Sequence, residues 1–183
     1  MKRFSSVIAV LLIVFMLAAF ASCASKPSGD TGEDLTGKPF SADKDMAIIV
    51  GGKKYQVRVD SAQILADLGD GYEYGETVSC LYNGYDKTFA YDDLIVSTVP
   101  DGDADIIEMF TITGKSVTTA RGITVGATKD EVITAYGEKY WFDGYMNYTE
   151  SGDETNISEN RVQFQLENDV VTQIYVYSPS YSN

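Results

Sequence analysis

Two stretches of this chain carry one pattern 68 residues apart, and that spacing limits the possible folds more than any other feature. Asp60 corresponds to Thr128, Gln63 to Glu131, Ile64 to Val132, Leu65 to Ile133, Leu68 to Tyr136 and Gly69 to Gly137. Each set reads as a short helix: a capping side chain, a Gln or Glu three residues on, an apolar face and a glycine stop. Val57 and Val125 match ahead of the helices, and Tyr72 and Tyr74 match Tyr140 and Phe142 after them. The register continues into β-rich runs. "LIVSTV" (94–99) lies 68 residues before "VQFQLE" (162–167), and "DIIEMFTI" (105–112) lies 64 before "DVVTQIYV" (169–176). A longer turn in the first copy, "PDGDAD", takes up the difference. Each copy is a helix followed by about three strands, so the chain reads as tandem αβββ repeats, about 55–113 and 123–178. Such units predict an α+β fold: antiparallel sheet with short helices packed on one face. The other sheet face is left open.

The most patterned stretch, "GITVGATKDEVITAYG" (122–137), raises a choice between a phosphate-cradling loop and architecture. A phosphate loop needs several backbone N–H groups converging at a helix start, usually with a lysine or a strand–glycine–helix layout. The equivalent place in the first copy is "VRVDSAQ", without glycine. Gly122 and Gly126 are therefore read as shaping the approach to the helix. Ahead of the first helix, two β-rich runs in "MAIIVGGKKYQVRV" flank Gly51-Gly52, the signature of a two-residue hairpin.

The N-terminus has another character. Lys2 and Arg3 precede an apolar run of about 15 residues, Val7 to Ala21, the length of a signal-peptide core and short for a membrane span. It ends in "FASC", which resembles the lipobox of bacterial lipoproteins, with Cys23 the lipidated first mature residue and Phe20 in a place where Leu or Val is commoner. The expected division is a signal peptide over 1–22, a flexible tether over 23–44 rich in Gly, Ser, Asp, Lys and Pro, and a single α+β domain over 45–183. The expected location is the extracytoplasmic face of a cell membrane, held by acyl chains on Cys23. Without Lys2 and Arg3 the chain has 12 basic residues against 27 acidic ones, a net charge near −15. Such a surface argues against nucleic acid and against electrostatic docking on anionic lipid.

"GITVGATKDEVITAYG" also resembles the G-x-x-x-G-x-[ST]-x-x-[ED]-V-x-x-x-x-G helix opening of the SmpA/OmlA-type lipoproteins. Tandem copies of that unit are similar to the fold of the β-lactamase-inhibitor protein. Comparable stretches, "DGDADIIE" among them, are seen in surface lipoproteins of clostridia-like Gram-positive bacteria. The resemblance covers about residues 55–178. It implies a protein that binds other proteins through the sheet or its loops and is not an enzyme.

Little in the sequence supports catalysis. The chain has no histidine, no serine-nucleophile elbow and no metal-ligand spacing, although a carboxylate pair of the glycosidase kind stays open. Cys80 in "TVSCLY" is read as a buried small hydrophobe. Asp101, Asp103 and Asp105 in the acidic turn suggest calcium, but an EF-hand would need glycine and a carboxylate where Ile106 and Ile112 stand. The turn is therefore read as solvated, with at most a weak calcium site and no cofactor. The aromatic run "GEKYWFDGYMNY" gives the candidate binding surface: Tyr140, Trp141, Tyr145 and Tyr148. Such rings supply contact area with a polar tip, suited to protein interfaces or to stacking on glycans. The expected function is a lipid-anchored binding module contacting a protein partner as adaptor or inhibitor. The alternative is a lipoprotein that binds glycan, cell wall or a small ligand.

Overall fold

The computed structural model describes residues 33–179; the signal peptide, Cys23 and the first part of the tether lie outside them. Among the described residues there are three short helices: Ala42–Asp45 (α1), Ala62–Leu68 (α2) and Lys129–Tyr136 (α3). The strands are Ala47–Val50 (β1), Lys53–Gln56 (β2), Glu73–Val78 (β3), Tyr85–Ala90 (β4), Leu94–Asp101 (β5) and Ala104–Ile112 (β6). They continue with Val117–Thr119 (β7), Trp141–Phe142 (β8), Tyr145–Tyr148 (β9), Arg161–Glu167 (β10) and Val170–Tyr177 (β11). The protein is α+β, with antiparallel sheets and few short helices.

The main sheet has eight strands in the order β3-β4-β5-β6-β11-β10-β9-β8. The order is a palindrome: a helix and four strands on each side, meeting at the β6–β11 seam. Local geometry follows the same correspondence. Leu94 pairs with Ile112 and Val96 with Phe110, as Val162 pairs with Val176 and Phe164 with Ile174. A bulge falls between Ser97 and Thr98 and another between Gln165 and Leu166. Isolated bridges join Asp60 to Ile106 and Thr128 to Val170. The strand count per half is four, not three. The extra strands, β3 and β8, are edge strands, and β8 is only two residues long. Duplication of one unit remains a reading of the sequence spacing; the mirrored order is what a duplicated unit would give.

The two helices end alike and begin differently. Thr128 accepts the Glu131 N–H while the Glu131 carboxylate accepts the Thr128 N–H, a complete capping box. In α2 the N-cap is Ser61, without a side-chain cap, and Asp60 accepts from the Ala62 N–H. The expected Gln63 reach-back is absent because Gln63 donates to Asp67 at 3.0 Å instead. Both helices pack on one face of the sheet. Tyr136 of α3 meets Phe164 with ring centroids 5.2 Å apart, and Tyr72, just after α2, meets Phe89 at 5.1 Å. Phe110, Ile112, Met146, Val162, Phe164, Ile174 and Val176 are fully buried beneath this layer, each large side chain contributing about 1.5–3 kcal/mol.

Beside the helices lies a three-stranded sheet, β2-β1-β7. Its β1–β2 hairpin turns at Gly51 and Gly52, φ 57° and 82°, the positive-φ pair a two-residue turn demands. The glycines before α3 also have positive φ, 80° at Gly122 and 92° at Gly126. The amides of this loop are consumed by protein carbonyls: Gly122 N–H by Thr119, Gly126 by Val171, Ala127 by Thr124 and Lys129 by Asp169. They do not converge on an anion, so this stretch is architecture.

The tether boundary is corrected by the structure. The chain is docked from Leu35, which is buried, and Phe40 packs against the core. The cause is a buried ion pair. The Asp45 and Arg121 side chains are both fully buried, joined through Nε–Oδ1 at 2.7 Å and Nη2–Oδ2 at 2.8 Å. The rest of the Arg121 fork donates to the carbonyls of Leu35, Lys38, Pro39 and Ala135. Asp45 also accepts the Ser41 N–H at 2.8 Å. Residues 35–45 thus form a strap around one guanidinium.

Candidate functional site

Side chains directly opposite one another in an antiparallel sheet share a face. Followed across the sheet, one row on the face away from the helices reads Trp141, Asn147, Gln163, Tyr175, Thr111, Ile95, Ala90, Glu73. A flanking row reads Arg161, Tyr177, Met109, Ser97, Thr88, Gly75. On the other flank Tyr145, Gln165 and Gln173 stand together. These rows hold two ionisable charges, Glu73 at one edge and Arg161 at one end, in a chain of net charge −13. Asp86, two residues along β4 from Thr88, and Asp143, which accepts from Asn147, add to these at the margins; the centre of the face is built of rings, amides and hydroxyls.

The polar groups are held in place. Gln163 Nε2 donates to Asn147 Oδ1 at 2.6 Å, and Asn147 Nδ2 donates to Asp143 at 2.6 Å and to the Tyr145 carbonyl at 2.9 Å. The Tyr175 hydroxyl donates to Gln173 Oε1 at 2.9 Å. Tyr145 and Tyr175 meet edge to face with centroids 5.7 Å apart, and the Arg161 guanidinium lies 5.7 Å from the Tyr177 ring. Burial raises the Tyr175 phenol above its ordinary value, helped by Tyr145. It stays a neutral donor at physiological pH. Ordered side chains of this kind lose little entropy when a partner arrives.

The sequence-derived candidates divide. Trp141 and Tyr145 lie on this face. Tyr148 does not: it is 1% exposed, its hydroxyl donates to the Gly137 carbonyl, and its ring packs on Tyr136 and Phe164. Alternation along β9 puts 145 and 147 on one side and 146 and 148 on the other. Tyr140 is half-buried and packs on Tyr148, so it belongs to the core side. Tyr175, Gln163, Gln165 and Gln173 were missed. The signal was present in "VQFQLE", where the apolar residues alternate with the two glutamines.

The other candidates also resolve. Among the described residues, no three or more carboxylate, cysteine or histidine side chains are grouped to hold a metal. Asp105 is engaged by Lys87 at 2.8 Å, while Asp101 and Asp103 point to solvent from the turn. Cys80 is exposed, not buried, because β3 stops at Val78 and the chain turns there. Among the described residues no helix is long and apolar enough to cross a membrane. Cys23 lies outside them.

What fold and site define together is an α+β domain with one sheet face covered by helices and the other presenting an aromatic and amide-rich surface whose charges lie at its margins. No protein-family model, curated protein or solved structure matches the chain.

Proposed function

We propose that this protein is a lipid-anchored extracytoplasmic binding module, held by acyl chains on Cys23, that meets another protein across the aromatic and amide-rich face of its main sheet. The observation that carries this reading is the segregation of charge. A chain so acidic keeps the charges of this face at its margins and furnishes its centre with Trp141, Tyr145, Tyr175 and ordered amides. Interface centres are depleted in charge and enriched in such rings. The resemblance to SmpA/OmlA-type lipoproteins points the same way. The role is that of an adaptor or inhibitor, and not of an enzyme.

The test is a comparison of affinity capture. The full chain and its Trp141→Ala and Tyr175→Ala variants are each exposed to envelope extract, and retained proteins are identified by mass spectrometry. A partner held by the parent and lost from both variants supports the reading. A partner retained equally by all three would show that the face is not the contact.

A second reading is favoured by the amides. Gln163, Gln165 and Gln173 on the face that carries Trp141, with Asn147 buried beneath as the support of Gln163, offer the donors, acceptors and stacking surface that a glycan strand uses. Cell-wall fragments would then change Trp141 fluorescence saturably, and a flat titration removes this alternative.

A further inference from the structure

The two ends of the main sheet are unequal. One ends in β8, two residues long, whereas the other ends in β3, which pairs over six residues with β4 and has no described partner on its outer side. All six residues of β3 are exposed. Its register with β4 runs without a bulge, and β3 holds no proline and no lysine, so of the usual devices that blunt an edge only acidic side chains are present. The hairpin extends beyond the helix layer. On that side Tyr74 is 52% exposed, Val78 68% and Tyr85 49%, with Leu81 at the turn 65% exposed. Tyr74, Val78 and Tyr85 share a face, since Val78 pairs with Tyr85 and Tyr74 lies four residues along the same strand.

The charge around this strip has one sign. Asp70, Glu73 and Glu76 are exposed along or beside the edge. Asp86 on β4, on the opposite face from Tyr85, keeps one buried carboxylate oxygen without a hydrogen-bond partner. The only base on β3 or β4, Lys87, is held by Asp105 at 2.8 Å. Acidic side chains alone would be read as edge protection; an apolar strip on the same hairpin is what protection does not explain.

We propose that β3 is a docking edge for an extended, lysine- or arginine-bearing segment of another protein, which adds to the main sheet as a ninth strand. Backbone hydrogen bonds supply affinity, and alternate side chains meet two different environments. Those on the helix side pack against Tyr74 and Val78. Glu76 stands between Tyr74 and Val78 on that same side, where it accepts the Tyr74 hydroxyl, and Glu73 stands on the other, so a cationic residue of the segment meets a carboxylate on either side. Six residues of strand at about 3.3 Å each give a footprint near 20 Å. A second copy of this chain fits poorly, because edge-to-edge pairing would bring two acidic strands together, and an anionic bilayer is repelled for the same reason. This edge adjoins the sheet face proposed above at Glu73, and either assignment stands without the other.

The test uses a fluorescein-labelled octapeptide of alternating Lys and Val, its Glu–Val counterpart, and the full chain. Fluorescence anisotropy is expected to rise saturably with the Lys–Val peptide and not with the Glu–Val peptide. Glu73→Lys with Glu76→Lys is expected to weaken binding by about tenfold or more, and Val78→Ser with Leu81→Ser to weaken it without removing its salt dependence. These positions are exposed, so circular dichroism should be unchanged; Glu73→Gln with Glu76→Gln gives an intermediate loss. Amide exchange at residues 73–78 should slow in the bound state. No saturable binding of the Lys–Val peptide, equal binding of both peptides, or binding indifferent to the charge reversal would overturn the proposal. So would concentration-dependent dimerisation that the same charge reversal abolishes, which would assign the edge to a second copy.

Discussion

Replacing Arg121 with Met tests whether one buried ion pair holds the N-terminal strap to the domain. The Arg121 and Asp45 side chains have no solvent exposure, and the guanidinium serves the Asp45 carboxylate and four backbone carbonyls at once. Its Cζ also sits 4.7 Å from the Tyr136 ring centroid. Removing the cation leaves the Asp45 carboxylate buried with the Ser41 N–H as its remaining donor. Breaking a buried pair from one side costs about 3–5 kcal/mol, because the surviving charge is desolvated and uncompensated. At roughly 2–4 °C per kcal/mol for a domain of this size, Tm should fall by roughly 10–15 °C. The double variant Asp45→Leu with Arg121→Met removes both charges, and much of the loss should return, since apolar replacement of a buried pair is often near neutral. Thermal unfolding of the four proteins by circular dichroism completes the cycle. A single-variant loss below about 1 kcal/mol, or a double variant whose loss equals the sum of the singles, would refute the reasoning.

Other outcomes follow from local geometry. Thr128→Ala removes the α3 capping box and should cost about 1 kcal/mol, read as a lower urea midpoint at unchanged slope; Ser61→Ala, at a cap that makes no side-chain bond, should cost less. The Asp67 carboxylate is held down to about 2 by hydrogen bonds from Lys53, Gln63 and Tyr55. Its folded value lies below its unfolded one, so its contribution is present above about pH 4 and lost as pH falls toward 2. Asp67→Asn should therefore flatten Tm against pH in that window. Burial raises the Tyr136 and Tyr148 phenols above their ordinary value near 10. Their contribution is present below that pH and lost above it, and alkaline absorbance titration should show these two ionising only as the protein unfolds.

Much of the fold was legible because alternation and spacing are local signals. "LIVSTV" and "VQFQLE" show their buried sides directly, and Leu94, Val96, Val162 and Phe164 are all buried as that pattern requires. The strap was not legible. Leu35 and Phe40 stand alone among polar residues, and what fixes them is an arginine 76 positions beyond Asp45. β7 is three residues of "VTT" that become a strand only because β1 offers an edge. Cys80 was misread because β-rich composition continues past Val78, while Ser79 Oγ accepts the Leu81 and Tyr82 N–H groups and turns the chain. Half of the aromatic surface was legible, in Trp141 and Tyr145. Tyr148 was lost to a parity error of one residue, and Tyr175 lies on a strand read only as the last of its repeat.

The seam at the centre of the palindrome makes the first half an unfinished object while the chain is being made. β6 emerges with Phe110 and Ile112 facing the core, and until β11 follows, its outer edge is open. The strand that closes it need not come from the same molecule. β11 of a second chain presents the same register, Ile174 to Ile112 and Val176 to Phe110, so two chains trading halves would restore every pair that one chain makes alone. Dilution favours self-closure and crowding favours the exchange. Refolding at rising protein concentration, followed by size-exclusion chromatography, should show an exchanged dimer growing at the monomer's expense, and a monomer fraction that stays constant would show that the second half closes faster than a neighbour can arrive.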